Sequence, residues 1–243
     1  MTDIATQINV RSAASLIGWW RDMGVDSFID EVPEPWLGRN ALVLDTPKPA
    51  PVVATSKTKD ALPDTLAAFA SWLMTSEDIP AAGPPARRIA PSGDVASGLM
   101  VITDMPEAVD RDLLLTGPTG ILFDRMLAAL GRDRSSIYMA SIAPGRPATG
   151  MIDDDALDSL GNIMRHHVAL AAPKWLWVMG RAPSRAILTM SEVEARGRLH
   201  KFNHNGGTTT VMASLHPRNL LQSPHRKAAV WADMQNLMQG MTL

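Results

Sequence analysis

The chain has 243 residues, of which 46% are hydrophobic and 20% charged, and its formal net charge at pH 7 is −2. This length suits one α/β domain with a decorated N-terminus. The sequence contains no cysteine, which excludes disulfides, thiolate zinc sites and cysteine-ligated clusters. No apolar run approaches the roughly 18 to 20 residues that span a bilayer, and the N-terminus lacks the pattern of a secretory signal, so we expect a cytoplasmic protein without membrane contact.

Residues 1–60 are predicted to be an N-terminal extension, and residues 61–243 a separate domain. Within the extension, residues 12–23 have the apolar spacing of a helix, with Trp19 and Trp20 on its apolar face. Residues 47–59 are rich in Pro, Thr and Lys, which is typical of a linker. The two tryptophans could stack on bases, although docking or packing is the more common role of such residues.

The domain alternates predicted helices with short apolar runs that are typical of buried parallel strands. The predicted strands cover residues 99–102, 137–142, 175–179 and 211–215, and the predicted helices cover residues 63–74, 121–130, about 153–172, 182–189 and 225–238. This alternation predicts a parallel sheet with helices on both faces. The loops after the four strands should meet at one edge, which would bring Asp104, Ser141, Gly180 and His216 near each other.

The last predicted strand leads into a distinctive string that begins at His216-Pro217 and continues through Leu220-Leu221 to Ser223-Pro224. Proline ends the strand, so a turn is expected there, and Ser223 with Pro224 favours a helix start. Residues 195–232 contain no acidic residue. They carry six basic ones: Arg196, Arg198, Lys201, Arg218, Arg226 and Lys227. Such a region indicates either a phosphate-binding face or a solvated surface patch.

The pattern His-Pro-x-x-Leu-Leu-x-Ser-Pro followed by a basic helix resembles the second signature of the uracil-DNA glycosylase superfamily, in particular its family-4 type. The resemblance extends over about residues 62–238, because residues 122–131, Arg146-Pro147 and residues 195–198 also match in order and spacing. It implies a three-layer α/β/α sandwich around a central four-stranded parallel sheet. It also implies a DNA repair enzyme that hydrolyses the N-glycosidic bond of a flipped, uracil-containing or otherwise damaged nucleotide.

The resemblance assigns roles to individual residues. Asp104 would orient water or stabilise the positive charge that develops on the sugar, and His216 would donate a hydrogen bond to the departing base. Leu220 or Leu221 would enter the base stack behind the flipped nucleotide. The remaining residues of the loop and helix start would contact DNA: Arg218, Asn219, Ser223, Arg226 and Lys227.

The first signature departs from the family. The family has Gly-Glu-Ala-Pro-Gly where this chain has Thr103-Asp104-Met105-Pro106-Glu107, and side chains at the two glycine positions would impede a close backbone approach. Leu115 stands where the family has a base-stacking Phe, and Ser141 stands where it has a uracil-reading Asn. The base-binding residues are therefore predicted to be Met105, Leu115 and Ser141. The four cysteines that hold the family's iron–sulfur cluster are absent, so we expect no cofactor.

Two alternatives remain open from the sequence. The first is a catalytically weak or inactive relative that binds DNA, or that binds a repair protein through the N-terminal extension. The second is a metal site at His200 and His204 or at His166 and His167. The glycine- and asparagine-rich residues 203–207 disfavour the helix that would place His200 and His204 on one face.

Overall fold

The computed structural model of the protein describes residues 61–242. The predicted N-terminal helix and the linker lie outside these residues. The described helices are α1 (Leu66–Thr75), α2 (Gly117–Ala129), α3 (Asp154–Ala171), α4 (Arg181–Leu188), α5 (Glu192–Ala195), α6 (Pro217–Gln222) and α7 (Lys227–Thr242). The strands are β1 (Ser92–Gly93), β2 (Leu99–Thr103), β3 (Tyr138–Ser141), β4 (Trp175–Met179), β5 (Leu199–His204) and β6 (Gly207–Ser214).

The strands form one six-stranded sheet in the order β1-β3-β2-β4-β6-β5. Its four central strands, β3, β2, β4 and β6, are parallel, which confirms the predicted core of the sheet. The edge strands β1 and β5 pair antiparallel with their neighbours and were not predicted. β5 and β6 form a hairpin, so β6 begins four residues earlier than the apolar run suggested.

Alternate residues of the central strands pack into two separate apolar cores, one on each face of the sheet. On one face Met100 and Ile102 of β2 pack against residues of α1, α3 and α4. On the other face Leu99 and Val101 pack against residues of α2 and α7. The predicted three-layer α/β/α sandwich is therefore present. Burial of both faces explains the continuous apolar runs, because each buried aliphatic side chain contributes about 1.5–3 kcal/mol.

The segment after β6 differs from its predicted form in one important respect. Residues 217–222, expected to be a turn and loop, form the short helix α6, for which His216 is the N-cap and Pro217 the first helical residue. Proline suits that position because its missing N–H would have no partner in the helix. The side chain of Ser223 makes no capping hydrogen bond, and α7 begins after the 3₁₀ turn Pro224–Arg226.

These elements place the carboxyl ends of β2, β3, β4 and β6 along one edge of the sheet. The loops at this edge carry the residues predicted to be functional. Within residues 61–242 no helix is long and apolar enough to cross a membrane.

Candidate functional site

Asp104 and His216 lie beside each other at the carboxyl edge of the sheet. Asp104 follows β2 directly, and His216 lies two residues after β6. The distance from His216 Nε2 to Asp104 Oδ1 is 3.5 Å. Gly180, at the end of the intervening strand β4, has φ +99°, and a Cβ atom there would lie 3.4 Å from the Cβ of His216. A Cβ at that distance would make only van der Waals contact with His216, so it is the positive φ that favours glycine at position 180.

The surroundings of His216 fix both its charge and its tautomer. The residue is only 2% exposed, and this burial lowers the pKa of its imidazole, although the nearby charge of Asp104 acts in the opposite direction. The backbone N–H of Arg218 donates to Nδ1 at 3.1 Å, so Nδ1 carries no proton. We therefore assign a neutral ring whose proton is on Nε2. A neutral imidazole in this tautomer can donate one hydrogen bond, from Nε2, which is the role predicted for His216.

The Nε2–H of His216 already has an acceptor within the protein. Thr103 Oγ1 lies 2.7 Å from Nε2, and the same hydroxyl is 3.3 Å from Asp104 Oδ1. With the assigned tautomer, His216 donates to Thr103 and Thr103 donates to Asp104. The three residues form a buried hydrogen-bond chain, and a base oxygen would have to compete with the Thr103 hydroxyl for the Nε2–H donor.

Both carboxylate oxygens of Asp104 also accept hydrogen bonds from other groups of the chain. Oδ1 accepts the backbone N–H of Met105 at 2.8 Å in addition to the Thr103 hydroxyl, and Oδ2 accepts Arg218 Nη1 at 3.3 Å. The carbonyl of Asp104 accepts the N–H of Ala143 at 3.0 Å, which joins the loops after β2 and β3. These hydrogen bonds hold Asp104 in place beside His216, and its side chain is 17% exposed.

Glu107 and Arg218 form an ion pair beside Asp104. Arg218 Nε lies 2.9 and 3.1 Å from the two carboxylate oxygens of Glu107, and Nη2 lies 2.8 Å from Oε1. Burial opposes the charged form of Arg218, but the hydrogen bonds to Glu107 and the charge of Asp104 outweigh it and raise the pKa of the guanidinium. Arg218 therefore remains charged and contacts two carboxylates of its own chain.

The loop that carries Glu107 is held by the buried carboxylate of Asp110. Its oxygens accept the backbone N–H groups of Glu107, Leu115 and Thr116 at 2.7–2.9 Å. Arg134 donates to the carbonyls of Leu114 and Leu115 at 2.8 and 2.6 Å. Leu115 has φ +54°, an uncommon conformation for a residue with a side chain, and these contacts hold it there. Sequence reasoning did not identify Asp110 or Arg134, because no local pattern marks their partners.

Comparison with known protein families agrees with this architecture. The model of a family described as the uracil DNA glycosylase superfamily matches residues 90–235, which is more than half of the chain. The chain belongs to the uracil DNA glycosylase superfamily. No curated protein matches the sequence.

The residues predicted to contact a base do not line an open pocket of this superfamily member. Leu115 is fully buried in the core on the α2 and α7 face, and Met105 is buried in the core on the opposite face. Ser141 is buried, and its hydroxyl donates to the carbonyl of Ala143 at 2.8 Å. Any contact of these three side chains with a base therefore requires the surrounding loops to rearrange, and their base-binding role stays a prediction.

The predicted DNA-facing residues divide into buried and exposed groups. Leu220 is 2% exposed and packs in the core, because α6 directs it inward, whereas Leu221 is 43% exposed. Of these two leucines, only Leu221 therefore presents its side chain at the surface in this conformation. Arg226 and Lys227 are exposed, and neither forms an ion pair with another described residue. Asn219 and Ser223 are partly exposed, and their backbone groups are joined by a 2.9 Å hydrogen bond within α6.

The four histidines considered for a metal site make other contacts. His166 Nε2 contacts the Pro63 carbonyl, His167 Nε2 the Tyr138 hydroxyl, His200 Nε2 the Ala195 carbonyl and His204 Nε2 the Thr209 hydroxyl, all at 2.7–2.9 Å. Among residues 61–242, no three His, Cys, Asp or Glu side chains are grouped to hold a metal ion. The iron–sulfur cluster that a family-4 resemblance would imply does not fit this chain either, since the sequence has no cysteine to ligate it.

Proposed function

We propose that this protein is a DNA glycosylase of the family-4 type that removes a damaged base from a flipped nucleotide. The observation that supports the proposal is the approach of Asp104 Oδ1 to within 3.5 Å of a neutral His216 imidazole. A carboxylate and a neutral hydrogen-bond donor at one strand edge are the two groups that hydrolysis of an N-glycosidic bond requires. The charge on the sugar becomes positive and the charge on the base becomes negative as the bond breaks.

In the proposed reaction the C1′–N bond breaks and its electron pair leaves with the base. His216 Nε2–H stabilises the developing negative charge by a hydrogen bond to a base oxygen. Asp104 stabilises the positive sugar, orients a water molecule towards C1′ and accepts a hydrogen bond from it. The water oxygen bonds to C1′, and its proton is lost to solvent or to the departing base. The products are the free base and an abasic site in DNA.

The surface beside the pair supports DNA as the substrate. Leu221 is exposed at the end of α6, and Arg226 and Lys227 are exposed at the start of α7. An apolar side chain can occupy the space that a flipped base leaves, and flexible cations can contact the flanking phosphates. Flipping a base costs a few kcal/mol, which such contacts can offset.

A second function is favoured by one specific observation. Thr103 Oγ1 occupies the Nε2–H of His216 at 2.7 Å, so the donor that a leaving base needs is already used. Because Thr103 is fully buried at the end of β2, its side chain has little freedom to withdraw. A protein that binds DNA, with little or no hydrolysis, is therefore the second candidate.

An assay of base release separates the two functions. Single- and double-stranded oligonucleotides that contain uracil, hypoxanthine or xanthine are incubated with the full chain and then treated with alkali, which breaks the strand at abasic sites. A glycosylase gives breaks that Asp104→Asn and His216→Asn abolish. Asn at position 216 keeps an acceptor that can cap α6. Salt-dependent binding with intact strands on every substrate would instead establish the second function.

Asp154→Asn serves as the matched control for these variants. Asp154 pairs with Arg185 at 2.7 Å between α3 and α4, and it makes none of the contacts of the Asp104 cluster. The substitution removes one carboxylate charge, as Asp104→Asn does. Equal loss of strand breaks in both variants would show that the activity does not depend on Asp104 in particular.

A further inference from the structure

The ion pair between Glu107 and Arg218 lies beside Asp104, which Arg218 contacts at 3.3 Å. Arg218 belongs to α6 and Glu107 to the loop after β2, so the contact joins segments that are 111 residues apart in the chain. Arg218 uses Nε and Nη2 towards Glu107 and Nη1 towards Asp104. Arg218 thus links Asp104, the carboxylate assigned to catalysis, to Glu107.

This arrangement restricts how Asp104 can act on a substrate. Oδ1 already accepts Met105 N–H and the Thr103 hydroxyl, so the remaining acceptor site of the carboxylate is on Oδ2, which Arg218 Nη1 also contacts. Release of Arg218 is the simplest change that exposes Oδ2 fully to a water molecule, because the other two partners of Asp104 belong to the backbone and side chain of adjacent residues. Arg218 is also the partner with the longest side chain, and this side chain is 28% exposed.

One nitrogen of the Arg218 guanidinium lacks a well-formed hydrogen bond in this ion pair, which favours exchange of Glu107 for another anion. Arg218 Nη2 is close to Glu107 Oε1, but it is buried and makes no hydrogen bond of good geometry within the described chain. A DNA phosphodiester presents two charged oxygens, as a carboxylate does, and the planar guanidinium binds either group through two parallel hydrogen bonds. A DNA phosphate beside α6 can therefore replace Glu107 as the partner of Arg218 and supply the hydrogen bond that Nη2 lacks.

We propose that Glu107 and Arg218 form an autoinhibitory latch, in which Glu107 holds Arg218 across Asp104 until a DNA phosphate takes Arg218 away. Glu107 is a positioning residue, because it acts on Asp104 through Arg218. The inference rests on the proposed function, since it concerns the regulation of the same site. It predicts that the free protein is closed and that DNA binding itself opens it.

The first test compares the DNA affinity of the full-length wild type with that of two variants. The ligand is a duplex that carries a tetrahydrofuran abasic-site analogue, and fluorescence anisotropy measures the binding. Glu107→Gln should bind roughly five- to tenfold more tightly than the wild type, because no exchange of Arg218 is needed. Asp112→Asn is the matched control. Asp112 is an exposed carboxylate in the same loop outside the ion pair, so its affinity change should be below about twofold. Equal gains in both variants, or no gain in Glu107→Gln, would overturn the latch.

The second test needs no substitution at Glu107. In the ¹⁵N spectrum of the wild-type protein, the Arg218 Nε–H signal, assigned by its loss in Arg218→Lys, should be protected from exchange in the free protein. Addition of the abasic duplex should shift it, and Glu107→Gln should lose the protection without DNA. An Arg218 signal that saturating DNA leaves unchanged would refute the exchange.

The outcomes distinguish the latch from the proposed function. If uracil is excised but neither affinity nor the Arg218 signal responds to Glu107→Gln, the latch is wrong and the glycosylase stands. If both responses occur but no oligonucleotide loses a base, the hydrolytic function is wrong and the latch controls DNA binding alone.

Discussion

Thr103 determines whether the Nε2–H of His216 can serve a substrate, so its hydroxyl is the most informative group to remove. In Thr103→Ala the imidazole loses its acceptor at 2.7 Å, and Asp104 loses a donor at 3.3 Å. The matched variant Thr103→Ser keeps the hydroxyl and removes only the methyl group. Comparison of the two variants separates the hydrogen bond from the volume of the side chain.

The effect on stability follows from the burial of the three groups. A buried N–H that loses its acceptor destabilises a protein by about 1–3 kcal/mol. In a chain of this length each kcal/mol lowers Tm by roughly 2–4 °C, so the lost hydrogen bond should lower the Tm of Thr103→Ala by about 2–12 °C. Thr103→Ser loses only the buried methyl group, which costs about 0.5–1.5 kcal/mol, and should melt above Thr103→Ala. Differential scanning fluorimetry measures both shifts.

The effect on rate has the opposite sign. A donor that is directed at a developing negative charge contributes about 10²- to 10³-fold to a rate in well-studied enzymes. If the Thr103 hydroxyl withholds part of this contribution, single-turnover excision of uracil by Thr103→Ala should rise by about tenfold or more. Thr103→Ser should leave the rate unchanged. A folded Thr103→Ala protein that excises uracil no faster than the wild type would refute the view that Thr103 competes for the donor.

Three further expectations concern other parts of the molecule. Burial lowers the pKa of His167 to about 3, and burial also lowers the pKa of His216. The unfolded chain therefore binds protons below about pH 6.5 that the folded chain does not, so Tm should fall as pH drops from 6.5 towards 4, and His167→Gln should reduce that slope. Asp233 is buried, which raises the pKa of its carboxyl, and it pairs with Arg196 at 2.7 Å and accepts Gly197 N–H at 3.1 Å. Asn keeps an acceptor and loses only the charge, so Asp233→Asn should lower the free energy of unfolding by about 1–3 kcal/mol in urea titrations, and an unchanged free energy would contradict this. Arg226→Gln and Lys227→Gln should each reduce the slope of log affinity for duplex DNA against log salt by about one, and an unchanged slope would place phosphate contacts elsewhere.

The sheet was predictable where each strand is buried on both faces. The runs at Leu99–Thr103 and Trp175–Met179 are almost wholly apolar, and such runs have few alternatives to a central parallel strand. β5 escaped prediction because its residues alternate between partly buried and exposed and include two histidines, a lysine and an asparagine. The Asn205-Gly206 pair between β5 and β6 was the available signal, since this dipeptide favours a two-residue hairpin turn.

Of the site, the sequence could predict only which residues lie near each other at the carboxyl ends of the strands. The proximity of Asp104 and His216 follows from the order of parallel strands, which the sequence pattern indicates. The partners of these residues do not follow, because they depend on side-chain directions in loops. Glu107 was predicted to be a steric obstacle and proves to be a counter-ion of Arg218, while Leu220 and Leu221 look equivalent in sequence and differ in burial.

The two ring nitrogens of His216 have different roles. Nδ1 serves the fold, and the Nε2–H serves the proposed reaction. Nδ1 accepts Arg218 N–H and caps α6, a role that Asn, Asp or Ser fulfils equally well in other helices. Capping therefore explains an acceptor at position 216, but it does not explain an N–H donor on the opposite side of the ring. That donor points at Thr103 and Asp104, where a carboxylate and a hydroxyl meet at the edge of the sheet. Because His216→Asn retains the cap and removes the Nε2–H, a variant with wild-type Tm and lost excision would assign the imidazole to chemistry, and a variant with wild-type Tm and wild-type excision would assign it to the fold.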